Sequence, residues 1–173
     1  MKRFCMLVAG LLSVTLAQAA VVGEEVIYST GETELHGYIA HDEAVAGKRP
    51  GVLVVHEWWG HNAYARDRAR QLAALGYVAL AVDMYGKGKR AGHPEDAGKF
   101  AGEVKADMAA AEARFRAAMQ RLQAHPLVRD DDIAAIGYCF GGGMVLEMAR
   151  RGLPLDAVAS FHGSLGTDHP AEP

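Results

Sequence analysis

From Glu24 to Ala40 the residues EEVIYSTGETELHGYIA alternate apolar and polar on either side of Gly31 and Glu32, the pattern of an antiparallel hairpin. After a break at Gly47 to Pro50 the pattern changes. Val52 to Val55 and Tyr77 to Val82 are continuous apolar runs, as expected of strands buried on both faces of a mostly parallel sheet, and Ile133 to Gly137 is a third. Ala157 to Phe161 reads as a fourth strand. Helical stripes lie between them. Ala65, Ala69, Leu72 and Ala73 mark a helix over Ala63 to Leu75 that Gly76 ends. Phe100, Val104, Met108, Ala111, Phe115, Met119 and Leu122 recur at three and four residues, which predicts one long amphipathic helix stopping before Pro126, its Met and Phe stripe serving as core. Gly86 to Gly98 reads as a loop and Gly142 to Arg151 as a helix. Strand and helix alternate from Gly51 onward, so the fold class is α/β, with a largely parallel sheet and the hairpin at its edge.

Composition narrows the function classes. Among 173 residues, 18 basic against 21 acidic side chains give a net charge of −3, without the basic stripe of a nucleic-acid binder. A hydrophobic share of 50% supports a packed core and excludes disorder and a small disulfide scaffold. One domain is expected at this length. The first 19 residues, MKRFCMLVAGLLSVTLAQA, place Lys2 and Arg3 before an apolar run that ends in Ala-Gln-Ala, which predicts a secretory signal peptide removed after Ala19 and a periplasmic or secreted domain over 20–173. The run is shorter than the ~20 residues a bilayer requires, so no membrane association is expected after cleavage. Cys5 precedes the run, too early for lipid attachment, and its removal would leave Cys139 as the one thiol, either a buried apolar filler or a residue kept for its reactivity.

The chemistry concentrates at Ile133 to Met144, IAAIGYCFGGGM. Here a strand enters Gly137-Tyr138-Cys139-Phe140-Gly141, a G-x-C-x-G pentapeptide, and a helix follows at once: a nucleophile-elbow pattern with Cys at the centre. Glycines two positions either side allow neighbouring backbone to pass the strained central residue. The sulfur would stand at the positive end of the next helix, and the Phe140 N–H would face the oxygen of an attacked carbonyl.

Two further segments close strands at the same sheet edge, where open α/β proteins bind ligands. His56-Glu57-Trp58-Trp59-Gly60-His61 superficially resembles a zinc-protease motif, but its histidines are five apart and leave a strand, so no metal site is expected. Asp83-Met84-Tyr85-Gly86-Lys87 ends the next strand; Asp83 is equally suited to fixing the loop and to touching substrate. His162 follows the last strand at this edge, while His36, His41, His93, His125 and His169 read as surface residues.

Taken in order, VVHEWWG, GYVALAVDMYGKG, the helix ending in AHP, IAAIGYCFGGGM and ASFHGSLG closely resemble the dienelactone hydrolase (carboxymethylenebutenolidase) family across nearly all of the chain after residue 19. The resemblance implies an α/β-hydrolase fold, no metal or cofactor, and hydrolysis of a small ester or lactone through a Cys-His-Asp triad and an acyl-enzyme. It implies that Cys139 is the nucleophile, that Glu57 hydrogen-bonds the resting thiol and helps to ionise it, and that Trp58 and Phe140 supply the oxyanion-hole N–H groups. Tyr85 and Lys87 fall at substrate-contact positions, where lysine offers a point charge in place of the family's bidentate arginine. The triad Asp and His of that family lie beyond the elbow by more than the 34 residues that follow Cys139, and Asp156, Asp168, His162 and His169 do not match them, so the expectation is a fold lacking its C-terminal strands and helices. The full-length protein is expected to be a monomer. The alternative to an enzyme is a non-catalytic α/β-hydrolase-like module that binds a small ligand. A thiol redox protein would need a C-x-x-C, which the chain does not have.

Overall fold

The computed structural model describes residues 20–168 and residue 170, so the expected signal peptide lies outside the described residues. The hairpin is present as β1 (Val21–Thr30) and β2 (Thr33–Asp42), paired antiparallel from Val21 with Asp42 to Thr30 with Thr33. Gly31, at φ +55°, makes the two-residue turn. Then follow β3 (Arg49–Val55), α1 (Ala63–Ala74), β4 (Val78–Val82), α2 (Pro94–Ala106), α3 (Met108–Gln123), β5 (Val128–Tyr138), α4 (Phe140–Arg150) and β6 (Ala157–Phe161). The strands form one sheet in the order β1-β2-β4-β3-β5-β6. β4, β3, β5 and β6 run parallel to their neighbours, and the hairpin joins antiparallel through β2.

The continuous apolar runs are explained by helices on both faces. On β3, Val52 and Val54 pack with Ala65, Ala69 and Ala73 of α1, while Leu53 and Val55 face the larger core built by α2, α3 and α4. Burying each such Val or Leu side chain contributes about 2 kcal/mol, which is what holds the helices on the sheet. α1 begins where Asn62 accepts from the Ala65 N–H, and it ends before Gly76 at φ +95°.

The structure differs from the sequence expectation in two places. The segment Gly86 to Gly98 is a loop only as far as His93. Pro94 opens α2, with Glu95 and Asp96 in its first turn, a start that suits the positive helix end. The single long helix is two, because Asp107, at φ −128° and ψ 79°, leaves the helical region and its carboxylate accepts from the Ala110 N–H to cap α3. A hydrophobic stripe continues unbroken across such a break, so periodicity alone does not reveal it. β6 is partly exposed along its length and forms one end of the sheet, with Phe161 46% exposed.

Candidate active site

The ends of β3, β4, β5 and β6 meet at one edge of the sheet, and Cys139 is where they converge. It sits between β5 and α4 at φ +53° and ψ −114°, a conformation costing about 1–3 kcal/mol for a residue with a Cβ. Its surroundings enforce it. The Cys139 N–H donates to the Phe161 carbonyl at 3.0 Å, tying the elbow to the end of β6. A Cβ on Gly137 would stand 2.1 Å from the Gly141 carbonyl oxygen, and one on Gly141 would stand 2.4 Å from that of Val55. The two flanking glycines are therefore required by backbone packed against backbone.

The free thiol of Cys139 lines a cleft of about 170 Å³ with Trp58, Ala101, Lys105, Phe140, Gly143, His162 and Ser164. Phe140 is the first residue of α4, so its N–H has no acceptor within the helix and remains available beside the sulfur. Trp58 reaches the cleft from the loop after β3. The Tyr85 hydroxyl donates to the Trp58 carbonyl at 2.9 Å and so fixes that loop. Lys105, Gly143 and Ser164 also border a second cleft of about 460 Å³ along α4, which gives the space at Cys139 an extension.

Glu57 leaves β3 beside Trp58. Its Oε1 lies 3.5 Å from Nε2 of His162, whose side chain is 61% exposed. His162, at φ +46°, turns the chain immediately after β6. Cys139, Trp58, Phe140 and His162 thus share one cleft, and Glu57 meets it through His162.

Neither Tyr85 nor Lys87 lines the cleft at Cys139. The Tyr85 ring packs against His56 and Phe140, at 4.7 and 5.5 Å between centroids, and burial pushes its phenol pKa well up, with nearby Cys139 adding to the shift. Lys87 is exposed, its backbone N–H donating to Glu34 at 2.9 Å, and it is not among the cleft's lining residues. The lysine that reaches the cleft is Lys105, on α2.

Asp83 fixes its loop. Buried completely, its carboxylate accepts from the backbone N–H groups of His36, Tyr85, Gly86 and Gly88, at 3.0, 3.0, 2.8 and 2.8 Å. His56 is a second organiser that sequence reasoning considered only as a metal ligand. Its Nδ1–H donates to the Glu57 carbonyl, and its Nε2 accepts from the Met84 N–H at 3.3 Å. The ring stacks on Phe140 at 5.8 Å, and burial lowers its pKa, keeping it neutral. His56 therefore joins the loops after β3 and β4 to the start of α4. A histidine ending an apolar run was the available signal.

Known proteins share these features. The model of the dienelactone hydrolase family matches residues 35–173. A protein of Aquifex pyrophilus, protein usf, is 31% identical over 82% of this chain and 62% of its own length, and a Synechocystis sp. protein assigned as a carboxymethylenebutenolidase is 33% identical over 76% and 54%. The solved structure named m3DLH superposes with a TM-score of 0.82 at 44% identity, covering 85% of this chain and 61% of that one. The crystal structure of a dienelactone hydrolase-like promiscuous phosphotriesterase from metagenomic libraries gives 0.80 at 41%, covering 84% and 61%. The chain spans between half and two thirds of the length of these relatives. With a mixed sheet in this strand order, a strained elbow at its carboxyl edge and a family match over most of its residues, the chain belongs to the dienelactone hydrolase family.

Proposed function

We propose that this chain carries the nucleophile and oxyanion hole of an exported hydrolase that cleaves a small ester or lactone through an acyl-enzyme on Cys139. The observation that carries the reading is the left-handed backbone of Cys139, held by glycine-tight packing at the mouth of a cleft that also contains Trp58 and Phe140. Strain of this kind is kept where it positions a reacting group.

In this mechanism the Cys139 sulfur attacks the carbonyl carbon as its proton leaves, forming a carbon–sulfur bond. The carbonyl electron pair moves to oxygen, where the N–H groups of Trp58 and Phe140 stabilise it. Collapse expels the alcohol and leaves a thioester, which water later hydrolyses. Glu57 takes the thiol proton and returns it to the departing alkoxide, so the step ends in a thioester, a neutral alcohol and a carboxylate. The mostly apolar lining at Cys139 suits an acyl group or lactone ring, and the adjoining cleft with Lys105 suits the polar remainder of the substrate. Export rests on the charged, apolar and Ala-Gln-Ala pattern of residues 1–19.

The test is stopped-flow hydrolysis of an activated aryl ester. The expected result is a stoichiometric burst of phenol that Cys139→Ala abolishes, lowering the acylation rate by about 10⁴-fold or more. A Cys139→Ala protein with an unchanged rate overturns the reading and leaves the ligand-binding module in its place.

A further inference from the structure

At the end of the sheet away from Cys139, the hairpin holds a buried carboxylate that no side-chain cation compensates. Asp42, the last residue of β2, is 4% exposed, and its Oδ1 accepts from the backbone N–H groups of Ala20 and Ala44, each at 2.9 Å. Among the described residues no lysine, arginine or histidine forms an ion pair with it. The neighbouring Arg49, itself buried, spends Nη1 on the Asp42 backbone carbonyl at 2.7 Å. A carboxylate taken out of water is costly unless a positive charge meets it. Ala20 is the residue that the Ala-Gln-Ala pattern places first after cleavage. The hairpin grips it twice: its N–H reaches Asp42, and its carbonyl accepts from the Glu43 N–H at 3.1 Å. That second bond adds one rung to a ladder that otherwise begins with Val21 opposite Asp42.

We propose that Asp42 receives the amino terminus made by processing: removal of residues 1–19 turns the Ala20 N–H into an α-ammonium that pairs with the Asp42 carboxylate and locks β1 onto β2. The catalyst is a signal peptidase of the exporting cell. Water adds across the Ala19–Ala20 peptide bond and the C–N bond breaks. Ala19 leaves as a carboxylate, and Ala20 keeps the nitrogen with three hydrogens and a positive charge. Before the cut this nitrogen offers Asp42 one neutral N–H. After it, an α-amino group is protonated at neutral pH, and the hydrogen bond to Oδ1 has a charge on both partners. The buried carboxylate thus gains its counter-charge only in the processed chain, so maturation and tightening of the hairpin are one event. The inference rests on the export reading and is independent of the reaction at Cys139.

The test begins with the chain exported by its own residues 1–19, recovered, and read by N-terminal sequencing, which is expected to return Ala20 first. The α-amine is then labelled with 2-pyridinecarboxaldehyde at neutral pH, in the folded and in the urea-unfolded protein. The expected result is labelling about tenfold slower in the folded protein, the effect of one charge-assisted hydrogen bond that must break first. Asp42→Asn should remove that difference. A second chain, released from a cleavable fusion with Ala19 as its first residue, leaves Asp42 intact and moves the amine outward by about 3.5 Å. It should label at the unfolded rate. Asp42→Asn should also lower the melting temperature more in the chain that begins at Ala20 than in the one that begins at Ala19. An equal drop in both marks a carboxylate that only turns the chain at Ala44, and it overturns the ion pair. So does equal labelling of folded and unfolded protein. A first residue other than Ala20 overturns the inference, and if residues 1–19 are still attached the export reading falls with it. Ala20 first without coupling to Asp42 overturns the ion pair alone and leaves export standing.

Discussion

Two glycine-containing turns close neighbouring regions of the same sheet edge, and they are held in different ways. At Gly137 to Gly141 the turn is enforced by steric exclusion: backbone lies so close that no side chain fits at either glycine, and Cys139 is held between them at φ +53°. At Asp83 to Gly88 the chain is open enough that a Cβ on Gly86 or Gly88 meets its nearest neighbour at 3.3 or 3.5 Å. There a buried carboxylate gathers backbone amides. Packing fixes the residue that reacts, while hydrogen bonds fix the loop that supports it. The sequence signal, glycines at a strand end, is the same in both.

Substitutions that attack each device separate them. Gly141→Ala forces a methyl group against the Val55 and His56 carbonyls. It is expected to destabilise the fold on the order of 3 kcal/mol, read as a lower urea midpoint, and to abolish Cys139 alkylation selectivity. Asp83→Asn retains the shape but presents an NH₂ group to amide donors that need acceptors. The expected cost is about 2 kcal/mol, with faster hydrogen exchange at Tyr85, Gly86 and Gly88 and an elbow that still holds. A Gly141→Ala protein as stable as the parent would contradict the steric account of the elbow.

The smallest effect at neutral pH belongs to His61, in the loop that carries Trp58. It is buried, neither ring nitrogen has a hydrogen-bond partner, and burial above all, with His56 and Arg66 adding to it, lowers its pKa to about 3. The unfolded chain binds this proton below about pH 6.5 and the folded chain does not until about pH 3, so stability is complete above 6.5 and falls as pH drops through that window. His61→Leu is expected to change stability by about 0.5 kcal/mol or less at pH 7 while flattening the acid limb of a melting-temperature profile. Unchanged acid sensitivity would show that the charge is accommodated elsewhere.

The legible parts of the molecule were those fixed by local pattern. Alternation about Gly31 and Glu32 located the hairpin, apolar runs located the buried strands, and spacing of glycines about Cys139 located the elbow. What escaped was set by single polar contacts. Asp107 divides a helix whose apolar stripe is continuous. His56 and Asp83 act through partners distant in the chain, such as Met84 and His36, and no local pattern records those meetings. The pairing of Glu57 with His162 joins residues 105 positions apart and depends on β3 and β6 ending at the same sheet edge.

The most direct measurement is peptide mapping after brief exposure of the protein to an activated acetate ester at neutral pH. The account predicts one acetyl group per chain, carried as a hydroxylamine-labile thioester on the peptide containing Cys139. An acetyl group found instead on lysine or serine, with Cys139 unmodified, would contradict it.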